Sequence, residues 1–139
     1  MPGLAEKYRN SPGAWRETAK LFNELAQKLK PQKMRIGYHN HTVEFQKLNG
    51  EIPWDIFCGN TRQEVITQLD IGHTVHESEY SATKRGAVIG DGDVKWQEVL
   101  AACEKVGGAE WYIIEEESSG LPGLEGIERS LKGLHGLGR

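Results

Sequence analysis

The sequence predicts an α/β fold in which parallel strands alternate with helices. Three segments have strand character, residues 34–41, 65–73 and 111–118, and segments with helical periodicity separate them. This alternation favours a parallel sheet, because parallel strands need a crossover connection between them. Each strand segment is apolar at its start and polar at its end, which is typical of an active face at the carboxyl ends of barrel strands. Three strands cannot close a barrel, so the sequence indicates part of one.

Composition restricts the class of protein. The 139 residues suffice for one hydrophobic core, and their 17 basic and 20 acidic side chains give a net charge of −3. The basic residues are scattered, so we expect neither nucleic acid nor a membrane as partner. No apolar run reaches about 18 residues and the N-terminus is not hydrophobic, which predicts a soluble, cytoplasmic chain. Whether a parent protein had a leader stays open.

The two cysteines carry no pattern of a functional site. Cys58 and Cys103 have no CxxC spacing and no nearby pair of histidines. We therefore expect two ordinary thiols that are buried or half-buried.

Helix signals precede, separate and follow the strand segments. Ser11 is a good N-cap, and Pro12 suits the first position of a helix that runs to Pro31. A short helical patch is expected around residues 54–57, after the turn at residues 49–50. Asp93 is the expected N-cap of a helix that Gly107 and Gly108 end. The last helix is predicted from a stripe of four apolar side chains: Leu124, Ile127, Leu131 and Leu134.

The first strand segment, MRIGYHNH, shows the clearest two-residue alternation. Met34, Ile36 and Tyr38 are expected on the face that packs under helices. The residues that alternate with them are expected on the opposite face: Arg35, Gly37, His39 and His41. Two histidines on one strand face are either site residues or hydrogen-bonded core groups.

Four segments resemble, in order, the sugar phosphate isomerase/epimerase family: GYHNHTVEF, QLDIGH, EYSATKRGAVIGDGDVKW and EWYIIEEES. The likeness runs over nearly the whole chain but corresponds only to the C-terminal half of such a protein. It implies a xylose-isomerase-like TIM barrel, related to endonuclease IV and to tagatose-type epimerases. The expected fold is therefore a partial TIM barrel, truncated relative to the family, with residues 1–139 as a single domain.

The resemblance also implies a divalent metal, Mn, Mg, Co or Zn, at the strand mouths. In the family a Glu, an Asp, a His and a second Glu hold it. The matching positions in this sequence are His39, Asp70, His76 and Glu115. His39 stands where the family has its first Glu, as in a subgroup with the signature HNHxxEF. Whether His39, His41 or Glu44 completes the metal sphere stays open.

The implied chemistry is metal-assisted proton abstraction alpha to a carbonyl of a small sugar or sugar phosphate. His39 and Glu115 are the expected catalytic proton carriers. Elimination or hydration of a keto-sugar fits the HNH subgroup equally well. We predict His41, Glu44 and His73 as substrate-binding residues, with a loop-capping role as the alternative for His73.

One departure from the family concerns the connection between LDIGH and VHESEY, which would be consecutive barrel strands. A βαβ unit takes about 30 residues or more, yet only Thr74 separates these segments. In one extended strand Asp70 and His76 would lie roughly 20 Å apart, too far to share an ion. A sharp turn at residues 72–74 could bring them closer, or the segment could cross between subunits. Any working centre is therefore expected to combine more than one copy.

A half-barrel would expose strand edges and the apolar side chains of Ile66, Trp111 and Ile113. We therefore predict a homodimer or higher oligomer that completes the barrel by oligomerisation or domain exchange. Three functional hypotheses follow. The chain is an oligomeric isomerase/epimerase-like enzyme, a self-associating barrel fragment without catalysis, or a module that binds metal or sugar.

Overall fold

The computed structural model of the chain describes residues 3–75, 87–116 and 120–139. These residues belong to two compact units, Met1–Glu77 and Ser78–Arg139. Each unit is built from its own helices, and the first also contains a parallel sheet. That residues 1–139 form a single domain stays a prediction.

The first unit begins with helix α1, Pro12–Leu29. Its start confirms the sequence signal, since the Ser11 hydroxyl accepts a hydrogen bond from the Ala14 backbone N–H at 3.1 Å. The helix ends at Leu29 and passes into a 3-10 turn, Lys30–Gln32, that contains Pro31. Helix α2, Pro53–Asn60, contains the helical patch expected around residues 54–57.

Strands β1, Ile36–His39, and β2, Val65–Gln68, form a parallel pair. Ile36 pairs with Val65 and His39 with Gln68. A short helix, α3, Ile71–Val75, follows β2. Helix α2 lies in the connection between the strands, so the first unit is a βαβ arrangement, as the alternation of elements predicts. The expected turn is present, because Asn49 and Gly50 both have positive φ, at 51° and 86°.

The core of the first unit is aromatic. Tyr38, on β1, packs against Trp15 and Phe22 of α1 and against Phe57 of α2, with ring centroids 5.0–6.0 Å apart. Such aromatic pairs contribute about 0.5–1.5 kcal/mol each beyond the area they bury. This packing confirms that the Tyr38 face of β1 lies under the helices, so the residues that alternate with it are on the other face. The prediction is wrong for Met34, which precedes β1 and is 55% exposed.

The second unit contains helices α4, Trp96–Ala102, and α5, Glu125–Gly136. Helix α4 continues as a π-helical turn, Cys103–Gly107, and ends at Gly108, which has a φ of 59°. Only part of the predicted apolar stripe of α5 is buried. Leu134 is 7% exposed, whereas Leu124 and Leu131 are 70% and 42% exposed. The backbone of α5 approaches Ile89, whose N–H donates to the Ser130 hydroxyl at 3.3 Å, and small side chains permit that approach.

Three sequence-based expectations about local structure are wrong. Residues 111–116 form neither helix nor strand. Apolar composition favours a strand, but a strand also needs a neighbouring strand to which its backbone can hydrogen-bond. Residues 69–73 do not continue β2: the strand ends at Gln68, and helix α3, Ile71–Val75, follows. Asp93 does not cap α4, whose N-cap is Lys95.

The surface of the described residues carries several apolar side chains. Trp111 is 81% exposed, Ile113 66% and Ile66 39%, so the exposure expected of these three residues is confirmed. Within the same part of the chain, no helix combines the length and apolar character that crossing a bilayer requires.

Candidate functional site

A polar cluster lies at the carboxyl ends of β1 and β2. His39 is the last residue of β1, and its Nε2 lies 3.4 Å from Oδ2 of Asp70, which follows β2 by two residues. The two side chains are 24% and 19% exposed, so the pair is half-buried and reachable from solvent. The carboxyl ends of parallel strands meet at one edge of a sheet, which explains why residues 31 positions apart come together.

Asp70 is held there because it caps helix α3. Its Oδ1 accepts a hydrogen bond from the His73 backbone N–H at 2.8 Å, and its backbone carbonyl accepts from the Thr74 N–H at 3.1 Å. Asp is among the preferred N-cap residues, since its carboxylate satisfies a backbone donor that the first turn leaves free. This cap starts α3 soon after β2 ends at Gln68, and it leaves the other carboxylate oxygen, Oδ2, facing His39.

The position of α3 decides one of the alternatives for the shortened connection. A helix rises about 1.5 Å per residue, so Asp70 and Val75 are about 7.5 Å apart along its axis. The fully extended path from Asp70 towards His76 is therefore excluded. His76 lies outside the described residues, and its place among the metal ligands stays a prediction.

A second polar group adjoins the first. The rings of His41 and His73 have centroids 5.0 Å apart, and those of His39 and His41 are 5.4 Å apart. Thr42 Oγ1 lies 3.4 Å from His73 Nδ1. Three of the four histidines predicted for the site are thus brought together, all half-buried, with imidazole nitrogens and a hydroxyl that can bind a polyhydroxyl ligand.

Glu44 has a structural role in this arrangement. It is 1% exposed, its Oε1 accepts from the Tyr38 hydroxyl at 2.7 Å, and its Oε2 accepts from the His41 N–H at 2.6 Å. Burial, and next the hydrogen bond with Glu44, raises the pKa of Tyr38 well above its ordinary value. The Glu44 carboxylate thereby fixes the backbone of His41; a direct contact with substrate stays a prediction.

Asn40 is a site residue that the sequence analysis did not identify. It is completely buried, and its side chain hydrogen-bonds to the backbone of Asp70. Alternation along MRIGYHNH places it on the buried face with Tyr38, and a buried amide requires partners. That combination is the signal by which the sequence could have revealed it.

The pair formed by His39 and Asp70 fits a divalent cation. Two ligand atoms at about 2.1 Å from one ion, in tetrahedral arrangement, are about 3.4 Å apart. The His39 Nε2 to Asp70 Oδ2 distance is 3.4 Å. Imidazole and carboxylate donors suit Zn, Mn or Co. Glu115, the further implied ligand, belongs to the second unit, where it is exposed.

Comparison with known proteins gives one kind of match. No protein-family model matches the chain, and no curated protein does. Among solved structures, it is similar to a sugar phosphate isomerase/epimerase from Parabacteroides distasonis, with a TM-score of 0.70 and 20% sequence identity. The match covers 96% of this chain and 56% of that one, so this chain spans little more than half the length of the solved protein. The resemblance seen in the sequence motifs is thereby confirmed for the fold: the chain has part of a TIM-barrel-like α/β fold.

Proposed function

We propose that the protein is a metal-dependent enzyme of the sugar isomerase/epimerase kind, acting on a small sugar or sugar phosphate. The observation that carries the proposal is the contact of His39 Nε2 with Asp70 Oδ2 at the carboxyl ends of two parallel strands. That position is where barrel enzymes hold their active sites. The likeness to a solved sugar phosphate isomerase/epimerase supports the choice of reaction.

His39 and Asp70 are the proposed metal ligands. A divalent cation bound there would polarise a sugar carbonyl and its neighbouring hydroxyl. His41 and His73 would bind hydroxyl groups of the substrate through their imidazole nitrogens. Glu115, which the resemblance implies both as a ligand and as a proton carrier, is proposed here as the proton carrier. Glu115 and His76 enter the proposal through the family resemblance alone.

Metal binding is the first test. We expect Mn²⁺, Co²⁺ or Zn²⁺ to bind the purified protein in calorimetry and to stabilise it, by about 2.7 kcal/mol at a concentration 100-fold above the Kd. Asp70→Asn and His39→Gln should each weaken binding by at least about tenfold. Asp55→Asn is the matched control, because Asp55 is an exposed aspartate in the first turn of α2. The proposal would be contradicted if the wild-type protein bound neither these three ions nor Mg²⁺.

Exchange in D₂O is the test of the reaction. An enzyme of this kind should incorporate deuterium alpha to the carbonyl of a keto-sugar, and Asp70→Asn should abolish the incorporation. Metal or sugar binding without exchange would favour the binding-module hypothesis. Protein that binds neither would favour the barrel fragment without catalysis.

We also propose that the protein associates with itself. Trp111, Ile113 and Leu124 are 81%, 66% and 70% exposed, and exposed side chains of this size are a liability in a monomer. Sedimentation velocity at micromolar concentration should show a dimer or higher oligomer, and Trp111→Ala should weaken it. A clean monomer would end this proposal.

A further inference from the structure

Both polar atoms of the Asn40 side chain hydrogen-bond to the backbone of Asp70. Asn40 is 0% exposed, and a buried amide without partners would be costly. Its Oδ1 accepts a hydrogen bond from the Asp70 N–H at 2.7 Å, and its Nδ2 donates to the Asp70 carbonyl at 3.1 Å. One side chain therefore binds both backbone polar groups of a single residue.

This pair of hydrogen bonds extends the sheet by one step without another strand residue. The backbone pairing of β1 and β2 ends at His39 and Gln68. Beyond it, the Asn40 amide supplies the donor and acceptor that a further backbone pairing would have supplied. The chain after Asp70 is then free to turn into α3 while Asp70 itself stays attached to β1.

The attachment orients the carboxylate of Asp70. The Asp70 carbonyl accepts from Asn40 Nδ2, from the Thr74 N–H and from Thr74 Oγ1, the last at 2.6 Å. Its Oδ1 is occupied by the His73 N–H. With the backbone and one carboxylate oxygen fixed, Oδ2 is directed to His39 Nε2. We propose that Asn40 is the positioning residue of this site, which presents Asp70 Oδ2 to His39; its catalytic meaning rests on the proposed function.

The chain offers a matched control in Asn23. Its Nδ2 donates to the Asn60 carbonyl at 2.9 Å, and its Oδ1 accepts from the Arg62 N–H at 2.8 Å. The chemistry is the same as that of Asn40, but these partners precede β2, at the end of the sheet opposite the site. Asn23→Ala therefore removes two hydrogen bonds of the same kind, from a half-buried side chain, without touching Asp70.

The test is NMR of the metal-free protein. In Asn40→Ala we expect the His73 amide, which reports on Asp70 Oδ1, to exchange about tenfold faster, since a lost hydrogen bond is worth about that factor. The imidazole ¹⁵N signals of His39 should shift towards those of Asp70→Asn. The amides of β1 are the internal reference, because a general loss of stability would change them too. Asn40→Ser, which keeps a small polar side chain, provides the same readout if the alanine variant does not fold.

Metal binding is the second readout. The Mn²⁺ or Co²⁺ affinity of Asn40→Ala should fall by at least about tenfold, as expected for a residue that orients a ligand, and that of Asn23→Ala should not change. Unchanged His39 and His73 signals in the Asn40 variants, or equal responses in the Asn23 variant, would overturn the inference. If those signals respond as expected but even wild-type protein binds no metal, Asn40 remains the positioning residue and the proposed function fails.

Discussion

The Tyr38 hydroxyl donates a hydrogen bond of 2.7 Å to Glu44 Oε1, and both side chains are buried. The pair joins the aromatic core to the backbone of His41, because the other Glu44 oxygen accepts from the His41 N–H. The stability of the core and the geometry of the candidate site are therefore coupled through one carboxylate.

Tyr38→Phe should destabilise the protein by about 1–3 kcal/mol, because it keeps the ring and leaves a buried carboxylate oxygen without its donor. Urea unfolding measures the change. Tyr112→Phe is the control: the Tyr112 hydroxyl also donates to a carboxylate, that of Glu104, but at the exposed surface. We expect no measurable effect there. Equal effects of the two substitutions would contradict the importance of burial for this hydrogen bond.

Alkaline pH should destabilise the wild-type protein through Tyr38. The pKa of Tyr38 is raised above its ordinary value of 10.0, first by burial, so the folded state holds the proton more tightly than the unfolded state. The contribution of Tyr38 to the free energy of unfolding is fully present below pH about 10 and is lost progressively as the pH rises above it. Tyr38→Phe should lack this part of the decline, measured as unfolding free energy between neutral and alkaline pH. A parallel decline in both proteins would contradict the assignment.

Cys58 should be a slow nucleophile in the folded protein. Burial, and next the charge of Asp55, raises the pKa of its thiol from 9.0 to about 11. At pH 9 about half of an unperturbed thiol is thiolate, against about 1% at this pKa, so alkylation should be about 50-fold slower than in urea-unfolded chain. Mass spectrometry of the Cys58 peptide after iodoacetamide treatment gives both rates. Because the raised pKa belongs to the folded state, the associated stability is lost as the pH rises from 9 to 11.

Gly37→Ala should separate the two strands. A Cβ at Gly37 would lie 2.5 Å from the Ile66 carbonyl oxygen and 2.7 Å from the Ile66 Cβ, and the backbone atom can move only with the strand. We expect a loss of about 3 kcal/mol. Gly59→Ala is the control, since Gly59 lies in α2 with open space around its Cβ position. There alanine should stabilise by up to about 1 kcal/mol. Urea unfolding measures the free energy of unfolding of both variants. Changes of the same sign in the two would contradict the close approach of Gly37 to Ile66.

Gly133→Ala should disrupt the packing of α5 in the second unit. A Cβ at Gly133 would overlap the Ile89 carbonyl oxygen, whereas Gly136, in the same helix, has nothing near its Cβ position. We expect Gly133→Ala to cost about 3 kcal/mol and Gly136→Ala to be neutral or slightly stabilising. Hydrogen exchange of the α5 amides measures the difference. Unchanged protection in Gly133→Ala would contradict the contact.

Helices α1, α2, α4 and α5 and the first strand could be predicted because their signals are local. Ser11 and Pro12 mark the start of α1 by cap chemistry, and alternation assigned Tyr38 and His39 to opposite faces of β1. The segment after Gln68 was predicted wrongly, because it carries signals for both a strand and a helix start. Leu69 and Ile71 are apolar and favour a longer strand, whereas Asp70 is a good N-cap three residues before His73. The local pattern allows both, and the structure shows the cap and the helix.

The sequence by itself determined the α/β class and the polar ends of the strand segments. It also determined His39, Asp70 and His73 as site candidates. These features could be predicted because period, caps and side-chain chemistry are properties of neighbouring residues. Only the tertiary structure decided which of these candidates meet and what holds them. The approach of His39 to Asp70 depends on the register of two strands, and the orientation of Asp70 depends on the buried amide of Asn40. Such long-range pairings arise from packing of the whole unit, so no local pattern contains them.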